Sequence, residues 1–510
     1  MAESRVKKTL LNARVNLIFY LLTLVFSFFS RKIFLDYLGA DFIGLTGTLQ
    51  NLLGFLNLAE LGIGSAIAFV LYKPIFDQDH DKINEIISVM GWLYRWIGLI
   101  ILGCGIILSC FLPLIFPSDK TGFSYPLIYF AYYSFLISSL IGYFINYRQN
   151  LLGADQRNYV VAGYFQTCNI LKSIAQIAAA YYTGSWYLWI AIELSFGIIY
   201  SFVLNWKINQ TYPWLKSQIS KGRKLLKKYH IIIVKTKQLF IHKIGSFVQF
   251  QITPFIIYIF VNLNIVAFYG NYSLIIDKLT QLVNQVLGSN TAGIGNLIAE
   301  GNKNKTISIF WELTNLQFFV AGICSFALLI LTNPFIVLWI GPKYLLSDTV
   351  LYLIILQMLI GTCTGIIVPF IWGHGMFGDI WSPVAEFILN LAFMIILGAK
   401  WGLAGIVAGR VLGYTIIYQI WKPIYLYKWC FKEKLIKYAS GATCCYVSVL
   451  VSIFIMWKAI VPFIHINPYT SATSWILYAF ISVGIFIILL ASIMYLLNPG
   501  MRRLIKRFLS

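Results

Sequence analysis

Among the ionisable side chains inside the long apolar runs of this 510-residue chain are Arg31, Glu60, Arg95, Lys172, Glu193, Asp277, Lys278 and Arg410. A charge among apolar residues is expensive, so each marks a candidate site. Counted along helices at 1.5 Å per residue, Lys172, Asp277, Lys278 and Arg410 fall near the middle of their runs. Arg31 lies toward one end of the first run, Glu60 toward the opposite side of the second, and Arg95 in the inner third of the third. Glu193 lies in the outer part of the sixth. The middle positions hold three cations, Lys172, Lys278 and Arg410, against one acid, Asp277. That excess suits an anionic ligand such as phosphate or pyrophosphate, which Arg and Lys hold through charge-assisted hydrogen bonds. Internal pairing is the competing reading, with Glu193 available to Lys172 or Arg410. Glu312 and Glu386 sit near run ends, where an acid is expected to snorkel out.

Enzyme chemistry finds no comparable footing. The histidines His80, His230, His242, His374 and His465 are scattered, without metal-ligand spacing. The eight cysteines lie in or beside apolar runs with no C-x-x-C, as small buried hydrophobes do. Gly373 to Gly378 match G-x-G-x-x-G by letter only, since no strand precedes them. No Walker motif is present, so ATP does not drive this chain directly. No catalytic residue, metal or cofactor is therefore expected. Coupling to Na⁺ or H⁺ stays open, with Glu60 and Asp277 as the available carboxylates.

The elements that must carry these charges follow from composition. The chain is 59% hydrophobic and 11% charged, with mean hydropathy +0.78. A soluble domain carries about 25% charged residues; lipid is the solvent that tolerates this composition. Apolar runs at roughly 14–36, 41–72, 86–113, 125–151, 159–182, 186–206, 240–262, 265–298, 306–331, 349–373, 382–399, 401–421, 437–460 and 473–497 predict about fourteen membrane helices. The apolar stretch after the basic N-terminus continues to Phe29 with no cleavage site, so it is read as a span. The net charge of +21 sits in loops, which excludes a nucleic-acid reading and fixes topology instead. Lys and Arg crowd one set of loops, placing both termini in the cytoplasm. The densest set lies between Lys207 and Lys243. With Trp214, Leu215, Ile219, Leu225, Leu226 and Tyr229 interleaved, it reads either as a helix on the anionic inner leaflet or as a topology-fixing loop.

The stretch from Leu38 to Lys82 recurs from about Leu263 onward. Gly47 is matched by Gly270 and Lys82 by Lys305, a common offset of 223. Pro113 and Pro334 continue the register at 221, and Gly153 and Gly375 at 222. An even number of helices separates the copies, so both insert the same way. The expected fold is an all-α integral membrane protein, with two six-helix lobes related by a pseudo-two-fold along the membrane normal and a cleft between them. Two further helices follow. The expected division is 1–206 for the first lobe, 207–239 for the basic linker, 240–425 for the second lobe, and 426–510 for the extra helices and basic tail.

The runs Ser30-Arg31-Lys32-Ile33-Phe34-Leu35, Leu38 to Leu45, Ala59-Glu60-Leu61-Gly62-Ile63-Gly64 and Leu71-Tyr72-Lys73-Pro74 resemble the first signature of bacterial polysaccharide flippases. These Wzx-like proteins form the polysaccharide branch of the multidrug/oligosaccharidyl-lipid/polysaccharide (MOP) superfamily. The resemblance is motif-specific over the first hundred residues or so. Beyond them it rests on helix count and the repeat. It implies a two-lobed transporter of the bacterial plasma membrane with a cationic cavity. This would flip an undecaprenyl-pyrophosphate-linked oligosaccharide, a capsule, O-antigen or exopolysaccharide precursor, outward by alternating access. It implies membrane lipids and other polysaccharide-assembly proteins as partners, and a lipid-tail groove built by 437–497. The resemblance puts Arg31 at the pyrophosphate; Lys278, with no family motif behind it, and Arg410, Lys172 and Arg95 are expected as further cavity cations from their charge and depth. Glu60 would pair with the cation or serve ion coupling.

A cation-coupled multidrug exporter of the same superfamily is the alternative, and it calls for an acidic cavity. A polysaccharide polymerase or ligase would need a large outer loop, and the outer loops here are about ten residues or fewer.

Overall fold

The computed structural model describes residues 5–509 except 61–62, 156, 288–293, 295–296, 299, 377 and 380, with side chains also left aside at 5–13, 16–17, 58–59, 65, 120, 158, 235, 238–250, 285–286 and 508–509. Among the described residues there are helices and turns and no strand. Among the described residues nine helices are long and apolar enough to cross a membrane, and shorter apolar helices accompany them. Among the described residues, the apolar runs read from the sequence fall largely on helix. The signature residues Leu61 and Gly62, and the second repeat's Gly288 to Gly293, lie outside the described residues.

Two compact units divide the chain, Met1–Ala267 and Phe268–Ser510. In the first, α1 (Arg5–Tyr37) turns at Gly39, whose φ of +87° only glycine adopts freely, into α2 (Ala40–Leu56). The 41–72 run is not one helix. It breaks at a 3₁₀ turn over Asn57–Glu60 before α3 (Ile63–Phe76). Asn57 Oδ1 accepts from Tyr143 at 2.9 Å and Ser139 at 3.2 Å, tying the break to the helix that carries them, α5. Next come α4 (His80–Cys110), α5 (Tyr125–Phe144), α6 (Asn158–Thr183) and α7 (Trp186–Thr211). Gly184, at φ +58°, ends α6, and Ser185 caps α7 by accepting from the Leu188 amide at 3.3 Å.

The basic linker packs on α4. The Lys216 and Gln218 amides donate to Asn84 Oδ1 at 2.7 Å and Ser88 Oγ at 2.8 Å. Its helix α8 (Gly222–Lys228) starts where a Cβ would stand 2.6 Å from the Ser88 carbonyl, and Lys228 pairs with Glu85 at 2.6 Å. Lys216, Lys221, Arg223, Lys224 and Lys227 stay exposed. Helix α9 (Ile231–Phe260), read from the sequence as opening the second lobe, packs against α2 and α3 of the first unit.

The second unit continues α10 (Leu263–Leu287) into α11 (Lys303–Ile340), α12 (Asp348–Thr364) and α13 (Trp381–Tyr414). Helix α13 folds back at Trp401 and Gly402 into two limbs, then runs on through π-turns to Phe431. A Cβ on Gly405 would sit 2.0 Å from the Leu397 carbonyl oxygen, and one on Gly409 2.5 Å from the Met394 nitrogen, so the two limbs touch backbone to backbone. Gly409→Leu is accordingly expected to lower thermal stability in detergent by about 3 kcal/mol, the upper end for overpacking. Gly103→Ala, where a Cβ meets nothing within 4 Å, should melt like the parent. Helices α14 (Leu435–Ile455) and α15 (Ala472–Leu497) complete a core on α11, with Phe326 and Phe486 stacked at 4.2 Å. The terminal α16 (Pro499–Leu509) sinks Met501 and Leu504 into the same core. In the turn before α14, Glu433 accepts from Lys437 at 2.7 Å and pairs with Lys303 at 3.0 Å. These two, Lys437 first, draw its carboxyl down to about 2. The contact is therefore complete above the ordinary carboxylate range and fades as pH falls toward that value.

The repeat is visible as helix starts. Ala40 and Leu263, His80 and Lys303, Tyr125 and Asp348, and Asn158 and Trp381 each open helices at the same offset of 223. Even the caps correspond. Asp79 accepts from the Lys82 amide and Asn302 from the Lys305 amide, both at 3.0 Å.

Candidate functional site

The intramembrane charges fall into separate groups within each unit. In the first, Arg31 on α1 donates from Nη2 to the Ala267 carbonyl at 2.9 Å. That acceptor is a neutral backbone carbonyl. Glu60 lies on the 3₁₀ turn and not on a regular span, which corrects the sequence placement. Its Oε1 accepts from Tyr94 at 2.6 Å, and Tyr94 in turn accepts from Asn150 at 3.2 Å. Glu60 and Arg31 are thus each held by other groups. Arg95 is exposed on α4 beside the exposed Trp96.

Lys172 is committed to an acid. Its Nζ lies 2.7 Å from Glu193 Oε1, and Gln176 donates to Oε2 of the same carboxylate at 2.9 Å. The pairing weighed against ligand binding is the one observed, so Lys172 does not count toward a cationic excess. The pair lines a cavity of about 400 Å³ bordered by α5, α6, α7 and the turn after α5.

In the second unit, Arg410 on the second limb of α13 is buried and donates from Nη1 to the Tyr269 hydroxyl at 2.6 Å, while its Nε has no hydrogen-bond partner. Asp277 on α10 is exposed, with Arg410 and Lys278 as the cations that act on it. These residues therefore form one electrostatic neighbourhood within the unit.

Sequence reasoning missed the most deeply buried charges. Glu312 and Glu386 do not snorkel; each is 2% exposed. Glu312 is met at 3.0 Å by Arg507 of α16, with Arg503 at 3.8 Å. Glu386 bonds to Tyr418, and its Oε2 has no hydrogen-bond partner. One turn further along α13, neither amide atom of Asn390 has a hydrogen-bond partner. Asp379 and Lys422 form a buried pair at 2.6 Å, and Trp421 Nε1 donates to Asp379 Oδ1 at 3.0 Å. Lys422 read as a topology cation because it ends an apolar run; its partner stands 43 positions earlier. Among the described residues no cluster of His, Cys, Asp or Glu has metal-binding geometry, and all eight cysteines are free thiols.

No family model matches the chain, and no curated protein matches it in sequence. Solved structures match its fold. The lipid II flippase MurJ, in an inward closed conformation, aligns with TM-score 0.62 at 15% identity over 95% of this chain and 99% of its own. An inward-facing multidrug-resistance MATE family transporter of the MOP superfamily aligns at 0.56 and 15% identity, over 82% of this chain and 99% of its own. An outward-facing conformation of a MATE family transporter gives 0.50 at 14% identity, over 83% and 96%. The chain thus has the all-helical fold of MOP-superfamily transporters and reads as a multi-pass membrane protein.

Proposed function

We propose that the chain is a lipid flippase of the plasma membrane. It would carry an undecaprenyl-pyrophosphate-linked oligosaccharide from the inner to the outer leaflet by alternating access, with both termini cytoplasmic. The observation that carries this reading is length. The likeness to MurJ extends over 95% of this chain, whereas the inward-facing MATE transporter, itself matched over 99%, accounts for only 82%. The surplus is about the size of the segment bearing α14 and α15. A drug exporter of MATE proportions has no use for it, whereas a carrier whose substrate trails a polyprenyl tail needs added surface to hold that tail in lipid. The charges favour the same reading. Arg31, Lys278 and Arg410 suit a pyrophosphate, which cannot cross hydrocarbon unaccompanied. Glu60 and Asp277 remain the carboxylates open to Na⁺ or H⁺ coupling.

Transport by the purified protein in liposomes tests this. A fluorescent undecaprenyl-pyrophosphate oligosaccharide should exchange leaflets at least about tenfold faster than in protein-free vesicles, equivalent to 1.4 kcal/mol on the barrier. Ethidium flux should stay at the protein-free rate. The opposite pattern replaces the flippase with the multidrug exporter.

A further inference from the structure

The cavity lined by α5, α6, α7 and the turn after α5 carries polar side chains whose bonding capacity is unspent. Asn146 accepts from Ser201 at 2.7 Å and Asn205 at 2.9 Å through Oδ1, leaving its amide nitrogen unused. Gln149 accepts from Tyr200 at 3.3 Å through Oε1, leaving its nitrogen likewise unused. Asn169 makes no hydrogen bond among the described residues. Side-chain amides that both donate and accept are costly to strand in an apolar setting, and they match hydroxyl groups, which do the same. The one cation and the one anion of the wall, Lys172 and Glu193, cancel each other at 2.7 Å. The cavity therefore offers no net charge to a phosphate or to an organic cation. Its volume of about 400 Å³ is at the small end of ligand sites.

We propose that this cavity binds a single neutral, hydroxyl-rich sugar ring. The proposal rests on the flippase reading, with the ring belonging to the transported glycan. Phosphate and sugar would then be recognised in different places, the sugar by amides within the first unit.

Gly142 supplies the test. It lines the cavity, and a Cβ there would meet nothing within 4 Å, so a large side chain can fill the space from the wall. The full-length protein in nanodiscs is titrated with methyl β-glucoside and methyl β-N-acetylglucosaminide, read by saturation-transfer NMR. The parent should show transfer to at least one of them, reduced at least about tenfold in affinity by Gly142→Phe. Should Gly142→Phe not fold, Asn169→Leu, which replaces the amide with two methyl groups on the same branched frame, should give the same loss. Glu193→Gln, which unbalances Lys172, should shift preference toward methyl glucuronide. Absence of transfer in the parent, or unchanged binding in the filled variant, overturns the proposal. The liposome assay keeps the two readings apart. A parent that flips lipid-linked oligosaccharide while Gly142→Phe flips it equally fast removes the sugar site alone. A parent that flips nothing removes the flippase reading whatever the pyranosides do.

Discussion

Alanine at both Arg31 and Lys278 is expected to abolish surface glycan while the protein still reaches the membrane in normal amount. Hydrogen bonds from a cation to an anion are worth about 1.5–3 kcal/mol each, and each 1.4 kcal/mol is a factor of ten. Two such losses should reduce transport by at least about a hundredfold. Arg31 is a cation held on α1 at the Ala267 carbonyl of α10. Lys278 shares its surroundings with Asp277 and Arg410. The check is glycan staining of cells beside immunoblotting of their membranes, with Arg31→Lys as a partial rescue. Normal glycan in the double variant rejects the assignment of these cations to the substrate path.

The second large effect concerns stability. Lys422→Met should cost about 3–5 kcal/mol, because it strands the Asp379 carboxylate, whose side chain is only 4% exposed. The partnered variant Asp379→Asn with Lys422→Met should recover most of that loss. It removes both charges together and keeps an acceptor for Trp421 Nε1, now 3.0 Å from the Asp379 oxygen. Thermal unfolding in detergent, run as a double-mutant cycle, decides the matter. A single variant as stable as the parent would mean that the pair is solvated and contributes nothing.

What the sequence disclosed and what it hid have physical reasons. Membrane spans are local, since some twenty apolar residues announce themselves wherever they stand. The repeat is carried by helix starts and caps, also local, as Asp79 and Asn302 demonstrate. The turn at Trp401 and Gly402 fell between two runs and was legible. The break at Asn57 was not, because the partners that fix it, Ser139 and Tyr143, lie on a helix more than eighty residues away. The same holds for charge. The span of Lys172 and Glu193 is short, 21 residues, and their pairing was the competing reading when Lys172 was assigned to the cavity. Glu312 and Arg507 are 195 residues apart, and their pairing was not. At the register shared by the helix starts, Arg31 stands opposite Pro254, Arg95 opposite Phe318 and Asp277 opposite Gly54. The repeated scaffold thus explains the helices and says nothing about the charges, which each half acquired separately.

The hold of α16 on Glu312 bears on how the chain is made. Helix α11 leaves the ribosome well before Arg503 and Arg507 exist, so it enters the bilayer carrying an acid with no counter-ion. Until Arg503 and Arg507 are in place, Glu312 lacks the guanidinium groups that meet it in the fold. Removal of α16 is therefore expected to strand Glu312, and to show first as faster turnover of newly made protein.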